Sequence, residues 1–129
     1  MAQFAGDQAP FNSLEAICQW AKGLGYAGIQ IPSWDKRFID LQQAAESPAY
    51  ADEIKGIVAA SGLQITELSA HLQGQLVAVH PAYNELFDSF APASLKGDLK
   101  GKAAWATEQM KFAARASQNL GLRACAALS

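Results

Sequence analysis

The stretch Leu24-Gly25-Tyr26-Ala27-Gly28-Ile29-Gln30-Ile31-Pro32 ends one regular element and begins another. Gly25 stands just past a helical pattern, where glycine can take the left-handed conformation that satisfies the last helical carbonyls and turns the chain back. Ala27 to Ile31 then reads as a strand, and Pro32, with no N–H to give to a ladder, closes it. The same junction recurs at Ser61-Gly62-Leu63 and at Leu120-Gly121-Leu122, each time between a helical pattern and a strand-like run. This recurrence predicts a serial β/α chain.

Working outward, Met1 to Ala5 is a short apolar run that reads as the end of a first strand begun upstream. Asn12, with Glu15 three residues on, offers a helix cap, and Leu14, Ile17, Cys18, Ala21 and Leu24 form one apolar stripe at helical spacing. Leu41 to Glu46 predicts a short helical turn. Ser47-Pro48 then supplies a cap with proline at the first helical position, and the helix runs to about Ala60 with Ala51, Ile54, Ile57 and Val58 on its apolar side. Gln64 to Ser69 is the third strand, with Ile65 and Leu68 its large apolar residues. From Ala70 to Asp98 the pattern dissolves into glycine, proline, histidine and aromatics, longer than irregular loops usually run, which marks a functional insertion. Leu99 to about Asn119 reads as a long helix whose Leu99, Ala103, Ala106, Met110, Ala113 and Ser117 allow close approach to a sheet. Ala124 to Ser129 is the fourth strand.

Strands alternating with helices predict parallel pairing through right-handed crossovers. An open doubly wound sheet and the first half, about four strands, of an eight-stranded TIM barrel both accommodate this order. After the first strand stands Gly6-Asp7-Gln8-Ala9-Pro10, with neither a dinucleotide fingerprint nor a phosphate-cradling Lys-Ser/Thr loop. The half-barrel is therefore preferred: an α/β chain forming one partial barrel domain over 1–129, incomplete at its C-terminus and clipped at strand one. Strand order discriminates the two. A barrel keeps the strands in sequence order, whereas a flavodoxin-like sheet separates the strand at 27–31 from that at 64–69.

Half of the 129 residues are hydrophobic, enough for a core, and the 10 basic and 12 acidic side chains leave a net charge of −2 without a basic cluster. Neither a nucleic-acid nor an anionic-membrane footprint is present, so no nucleic acid and no membrane is expected as partner. No apolar run approaches the roughly 20 residues that span a bilayer. Cys18 falls on a buried helical stripe and Cys125 in an apolar strand; both are expected as reduced core thiols of a cytoplasmic protein.

Ligands of either architecture bind beyond the carboxyl ends of the strands. The residues there are Phe4, Asp7 and Gln8 after strand one, Trp34, Asp35 and Lys36 after strand two, and Glu67, His71 and Gln73 around the end of strand three. His71 is the sharpest, since an imidazole at a strand end can bind a metal, move a proton or hydrogen-bond a sugar hydroxyl; a lone histidine also serves structurally. His80 stands in the irregular segment, before Pro81. Trp34 offers either a flat apolar wall for a ring-shaped ligand or a cap on the barrel rim. Glu67 either reaches the barrel interior or pairs with a basic neighbour. Trp20 and Trp105 lie within helical patterns and are expected to pack. The two histidines match no compact zinc spacing and no acid cluster forms a cage, so no metal ligands are assigned.

With this β/α order, with Gly25-Tyr26-Ala27-Gly28-Ile29 leading into strand two and Leu68-Ser69-Ala70-His71-Leu72 ending strand three, the chain resembles the sugar phosphate isomerase/epimerase family of xylose-isomerase-like barrels, over that family's amino-terminal half. The resemblance implies a sugar or sugar-phosphate substrate. It also implies a divalent metal, manganese, magnesium, cobalt or zinc, that holds the sugar's vicinal oxygens while acids move a proton through an enediolate. Ligands for that metal come mainly from the family's second half, so a metal belongs to the full-length parent and none is expected on this chain. His71 carries over as the catalytic candidate, with Trp34, Gln73, His80 and Glu67 as substrate-binding candidates. The related abasic-site endonucleases use histidines at the ends of strands three and four; strand four here has none, and the near-neutral charge disfavours a DNA groove. Alone, the chain is expected to be inactive, with open sheet edges that invite a homo-oligomer.

Overall fold

Each of the three glycine junctions has the backbone its sequence demands: Gly25, Gly62 and Gly121 lie at φ 87°, 70° and 71°. A residue with a Cβ is strained at such angles, so these glycines end their helices and aim the chain into the next segment. The computed structural model describes residues 2–127. Its regular elements are α1 (Leu14–Gly23), β1 (Gly28–Pro32), α2 (Leu41–Glu46), α3 (Pro48–Ala60), β2 (Gln64–Ser69), α4 (His71–Gly74), α5 (Leu99–Asn119) and β3 (Cys125–Ala126). Short 3-10 turns lie at Ala2–Phe4, Pro81–Tyr83, Asp88–Phe90 and Ala93–Leu95.

The strands form a parallel sheet in the order β1-β2-β3. A flavodoxin-like order separates β1 from β2, whereas here they pair directly. Register slips once: Ile29 faces Ile65, but Gln30 faces Glu67, leaving Thr66 as an extra residue. Thr66 Oγ1 donates to the Ile29 carbonyl at 3.0 Å, which fixes the bulge. Gly28 is required there, because a Cβ on it would meet Thr66 Cγ2 at 2.8 Å.

Ile29, Ile31 and Leu68 turn one sheet face into the core, where they join Leu14, Ile17 and Cys18 of α1, Ile54 and Val58 of α3, and Ala113 and Ala116 of α5. Complete burial of Ile31 and Leu68 contributes about 1.5–3 kcal/mol for each side chain. The opposite face carries Gln30 and Glu67, half-buried and joined at 2.6 Å. Helix α5 packs most extensively on α2 through its alanines. At its end, Asn119 Nδ2 donates to the carbonyls of Ala44 and Ala45 at 2.9 and 3.1 Å, satisfying groups that the end of α2 leaves without helical partners.

Caps set the helix starts. Ser47 Oγ accepts from the Tyr50 amide, with Pro48 following as expected; Asp40 caps α2 and Asp98 caps α5 in the same way. The cap of α1 is Ser13 rather than Asn12: Ser13 has the extended backbone of a cap, φ −147° and ψ 156°, and its Oγ accepts from the Ala16 amide.

Two further expectations are corrected. Ala2–Phe4 is a 3-10 turn beside β1, not the end of a strand. The reason is local aromatic packing: Phe4 lies 5.0 Å from the Trp20 ring centre and Phe11 5.1 Å from it, which folds the segment back over α1. Met1 lies outside the described residues, as do Leu128 and Ser129 of the expected fourth strand, of which β3 is the described part. The segment after β2 is not structureless, since α4 and three 3-10 turns occupy much of it.

Both cysteines are free thiols. Burial, with Glu15 nearby, pushes the Cys18 thiol up to about 11, and burial also raises Cys125. Among the described residues no helix is long and apolar enough to cross a membrane.

Candidate functional site

Pairing continues one residue past β1, where the Ser33 amide donates to the carbonyl of Ser69, the last residue of β2, at 2.9 Å. The two chains then diverge, Ser33-Trp34 toward α2 and His71–Gly74 into the helical turn α4. Between them, under α5, lies a cavity of about 490 Å³, within the usual range for small-molecule sites. Its position at the carboxyl ends of parallel strands is where β/α folds place ligands.

A chain of side-chain hydrogen bonds forms the cavity's polar side. Ser33 Oγ donates to Gln73 Oε1 at 2.7 Å, and Gln73 Nε2 donates to Gln109 Oε1 at 3.3 Å. Ser33 and Gln73 are each only 3 % exposed, so this chain ties the end of β1 to α4 and α5 in a setting where unmade bonds are costly. Trp34 and Trp105 supply flat apolar surface, with Leu72, Phe90 and Pro92 beside them. Lys36 and Asp40 line it with opposite charge, and Asp40 is already engaged in capping α2. Aromatic walls, amide and hydroxyl groups and little net charge suit a compact ring with several hydroxyls.

Of the residues singled out from sequence, Trp34 and Gln73 converge on this cavity, as does Lys36. His71, His80 and Glu67 are not among its lining residues. His71 opens α4, and its Nδ1 is enclosed without a hydrogen-bond partner among the described residues, as is Ser69 Oγ two positions before it. His80 is exposed and uses Nδ1 to accept from the Ala82 amide at 3.2 Å, which caps the turn at Pro81–Tyr83. Because Nδ1 accepts there, the neutral imidazole carries its proton on Nε2. Glu67 lies on the sheet's opposite face and pairs with the neutral amide of Gln30, not with a basic neighbour.

Loop acids near the site are also committed. Arg37 holds Asp35 through two bonds, Nε–Oδ1 at 2.9 Å and Nη2–Oδ2 at 2.7 Å, and reaches Asp7 with Nη1 at 2.8 Å. The guanidinium hydrogen bonds hold the Asp35 carboxyl below the usual aspartate range. Asp7 and Asp35 thereby fasten the segment before α1 to the loop after β1.

Trp105 was expected to pack, yet it forms cavity wall, and Ser33, Asp40 and Gln109 carried no signal of their own. The spacing of Trp105 and Gln109 along α5 does place them on one helical side. Which side meets the cavity depends on how α5 lies across α2. Among the described residues, no three His, Cys, Asp or Glu side chains gather as a cation site. No protein-family model matches the chain, and no curated protein matches its sequence.

Proposed function

We propose that this chain is the amino-terminal part of a xylose-isomerase-like β/α barrel, and that the cavity after β1 and β2 is its share of a sugar or sugar-phosphate site in an isomerase or epimerase. The observation that carries the proposal is the cavity itself: two tryptophans and the Ser33–Gln73–Gln109 hydrogen-bond chain line it together at the carboxyl ends of adjacent parallel strands. Three strands in sequence order support the barrel, as does a sheet face that is polar and half-buried around Gln30 and Glu67, opposite the face covered by helices.

On this proposal the chain binds and orients. Trp34 and Trp105 receive the apolar face of the sugar ring, while Gln73 and Gln109 hold its hydroxyls through amide groups already oriented by their neighbours. His71 lies outside the cavity's lining, at the strand end where α4 begins, and its Nδ1 lacks a partner among the described residues; on this proposal it takes part only in the site completed by the rest of the parent protein. The divalent metal that such isomerases use would be held by groups of the parent protein outside this chain, and the chain alone would be inactive.

A second proposal concerns association. Among the described residues β1 and β3 are the sheet margins, and Tyr26 and Phe4 are exposed beside β1. Such margins favour self-association of this chain through its sheet edges.

Titration of the protein with a neutral aldose and with its phosphate ester, followed by the indole N–H resonances of Trp34 and Trp105, tests the sugar site. Saturable shifts at those two resonances, with Trp20 unmoved, are expected. Absence of a response at Trp34 and Trp105 at millimolar sugar of either kind removes the proposal.

A further inference from the structure

Among the described residues, Lys102 is the largest side chain that is fully enclosed, and it is a cation. An ammonium group out of water is tolerated only when it is paired and hydrogen-bonded. Lys102 Nζ meets both needs within one segment: it donates to the Asn84 carbonyl at 2.6 Å and pairs with Asp88 Oδ1. The same Asp88 oxygen accepts the Gly97 amide at 2.9 Å, and Asn84 Nδ2 donates to the Gly97 carbonyl at 2.8 Å. Residues 84, 88 and 97 are thus drawn together around one lysine projecting from α5. The next residues after Asp88, Ser89 to Pro92, form a wall of the cavity, and Trp105 lies on the same helix one turn after Lys102.

We infer that Lys102 and Asp88 are positioning residues that latch the segment Asn84–Gly97 onto α5, holding Ser89–Pro92 as the movable wall of the cavity. Besides this latch, the segment meets α5 at the turn Ala93–Leu95, where Leu95 lies beside Gly101. Leu86 is exposed, and the segment's regular structure is two 3-10 turns too short to be stable alone. The apolar contact within it is the Phe87–Phe90 ring pair, 5.5 Å apart. A latch built on one ion pair gives two discrete states: closed, with the ammonium enclosed against a partly exposed Asp88, or open with both charges in water. An intermediate that hydrates one charge alone leaves the other without its partner. The inference rests on the proposed binding role of the cavity for its purpose, but its geometry stands without a ligand.

Two variants of the full chain test it, D88N and K102M, read by hydrogen exchange and by acrylamide quenching of Trp105 in a W20F/W34F background. D88N keeps the size of the side chain and an acceptor for the Gly97 amide, and removes only the charge. Amide protection across 84–97 is expected to fall by at least about 100-fold in both variants, with Trp105 more readily quenched and protection in α3 and β2 retained. Unchanged protection in 84–97 overturns the latch. Equal loss in α3 and β2, or unfolding of the whole chain by D88N, also overturns it, because the pair would then support the entire core. Neither readout uses a sugar, so a failed sugar titration leaves this result standing and a failed latch leaves the titration standing.

Discussion

Replacing Ser33 with alanine removes one oxygen from the buried side of the cavity and nothing else. The lost bond, 2.7 Å from Ser33 Oγ to Gln73 Oε1, lies between side chains that are each 3 % exposed, so water does not readily replace it. A hydrogen bond contributes about 1 kcal/mol net, while a buried acceptor left without a donor costs about 1–3 kcal/mol. Because Gln73 keeps its second bond, to Gln109, it is not free to swing toward solvent, and the expected loss is about 1–3 kcal/mol. For a chain of this length that corresponds to a lower melting temperature by roughly 3–6 °C for each kcal/mol. Urea unfolding followed by far-ultraviolet circular dichroism measures it directly. Gln73→Met and the double variant complete a cycle, in which the double variant should be less destabilised than the sum of the singles by about 1 kcal/mol. A Ser33→Ala change within about 0.5 kcal/mol of wild type, with additive behaviour in the cycle, would show that this bond does not organise the cavity.

Asn119→Ala deletes both donors to the end of α2 and is expected to lower stability by about 1–2 kcal/mol in the same urea assay; a loss below about 0.5 kcal/mol would mean that solvent satisfies the Ala44 and Ala45 carbonyls equally well. Asp35 supplies a pH test. Its folded pKa lies below the ordinary aspartate value of about 3.9, so its contribution is complete above that value and is lost as pH falls through the folded one. Asp35→Asn should therefore flatten the decline in urea midpoint between about pH 5 and pH 2, and an unaltered decline would contradict the role given to its bonds with Arg37.

How much of this was legible in the chain follows from the range of the forces involved. Ser47-Pro48 and the glycines at 25, 62 and 121 announce helix ends because caps and left-handed turns are satisfied within a few residues. Leu99–Asn119 and Gln64–Ser69 were legible for a similar reason, since periodic apolar residues carry their own geometry. The turn at Ala2–Phe4 was not, because a short, mostly apolar run looks alike whether it pairs with a strand or docks against Trp20. Trp34 and Gln73 could be placed at strand ends by counting, whereas the cap that His80 gives the turn at Pro81–Tyr83 and the bond of Glu67 to Gln30 depend on partners that counting does not supply.

Local sequence thus determined the alternation of helix and strand and the points where each helix stops, through backbone preference and periodic burial. Tertiary structure decided the bulge at Thr66 and the convergence of Ser33, Gln73, Gln109 and Trp105. It also decided that Lys102, a surface residue by composition, lies inside against Asp88. Each of these depends on atoms far apart in sequence meeting within hydrogen-bonding distance, which is fixed by how α5 packs across α2 and the sheet.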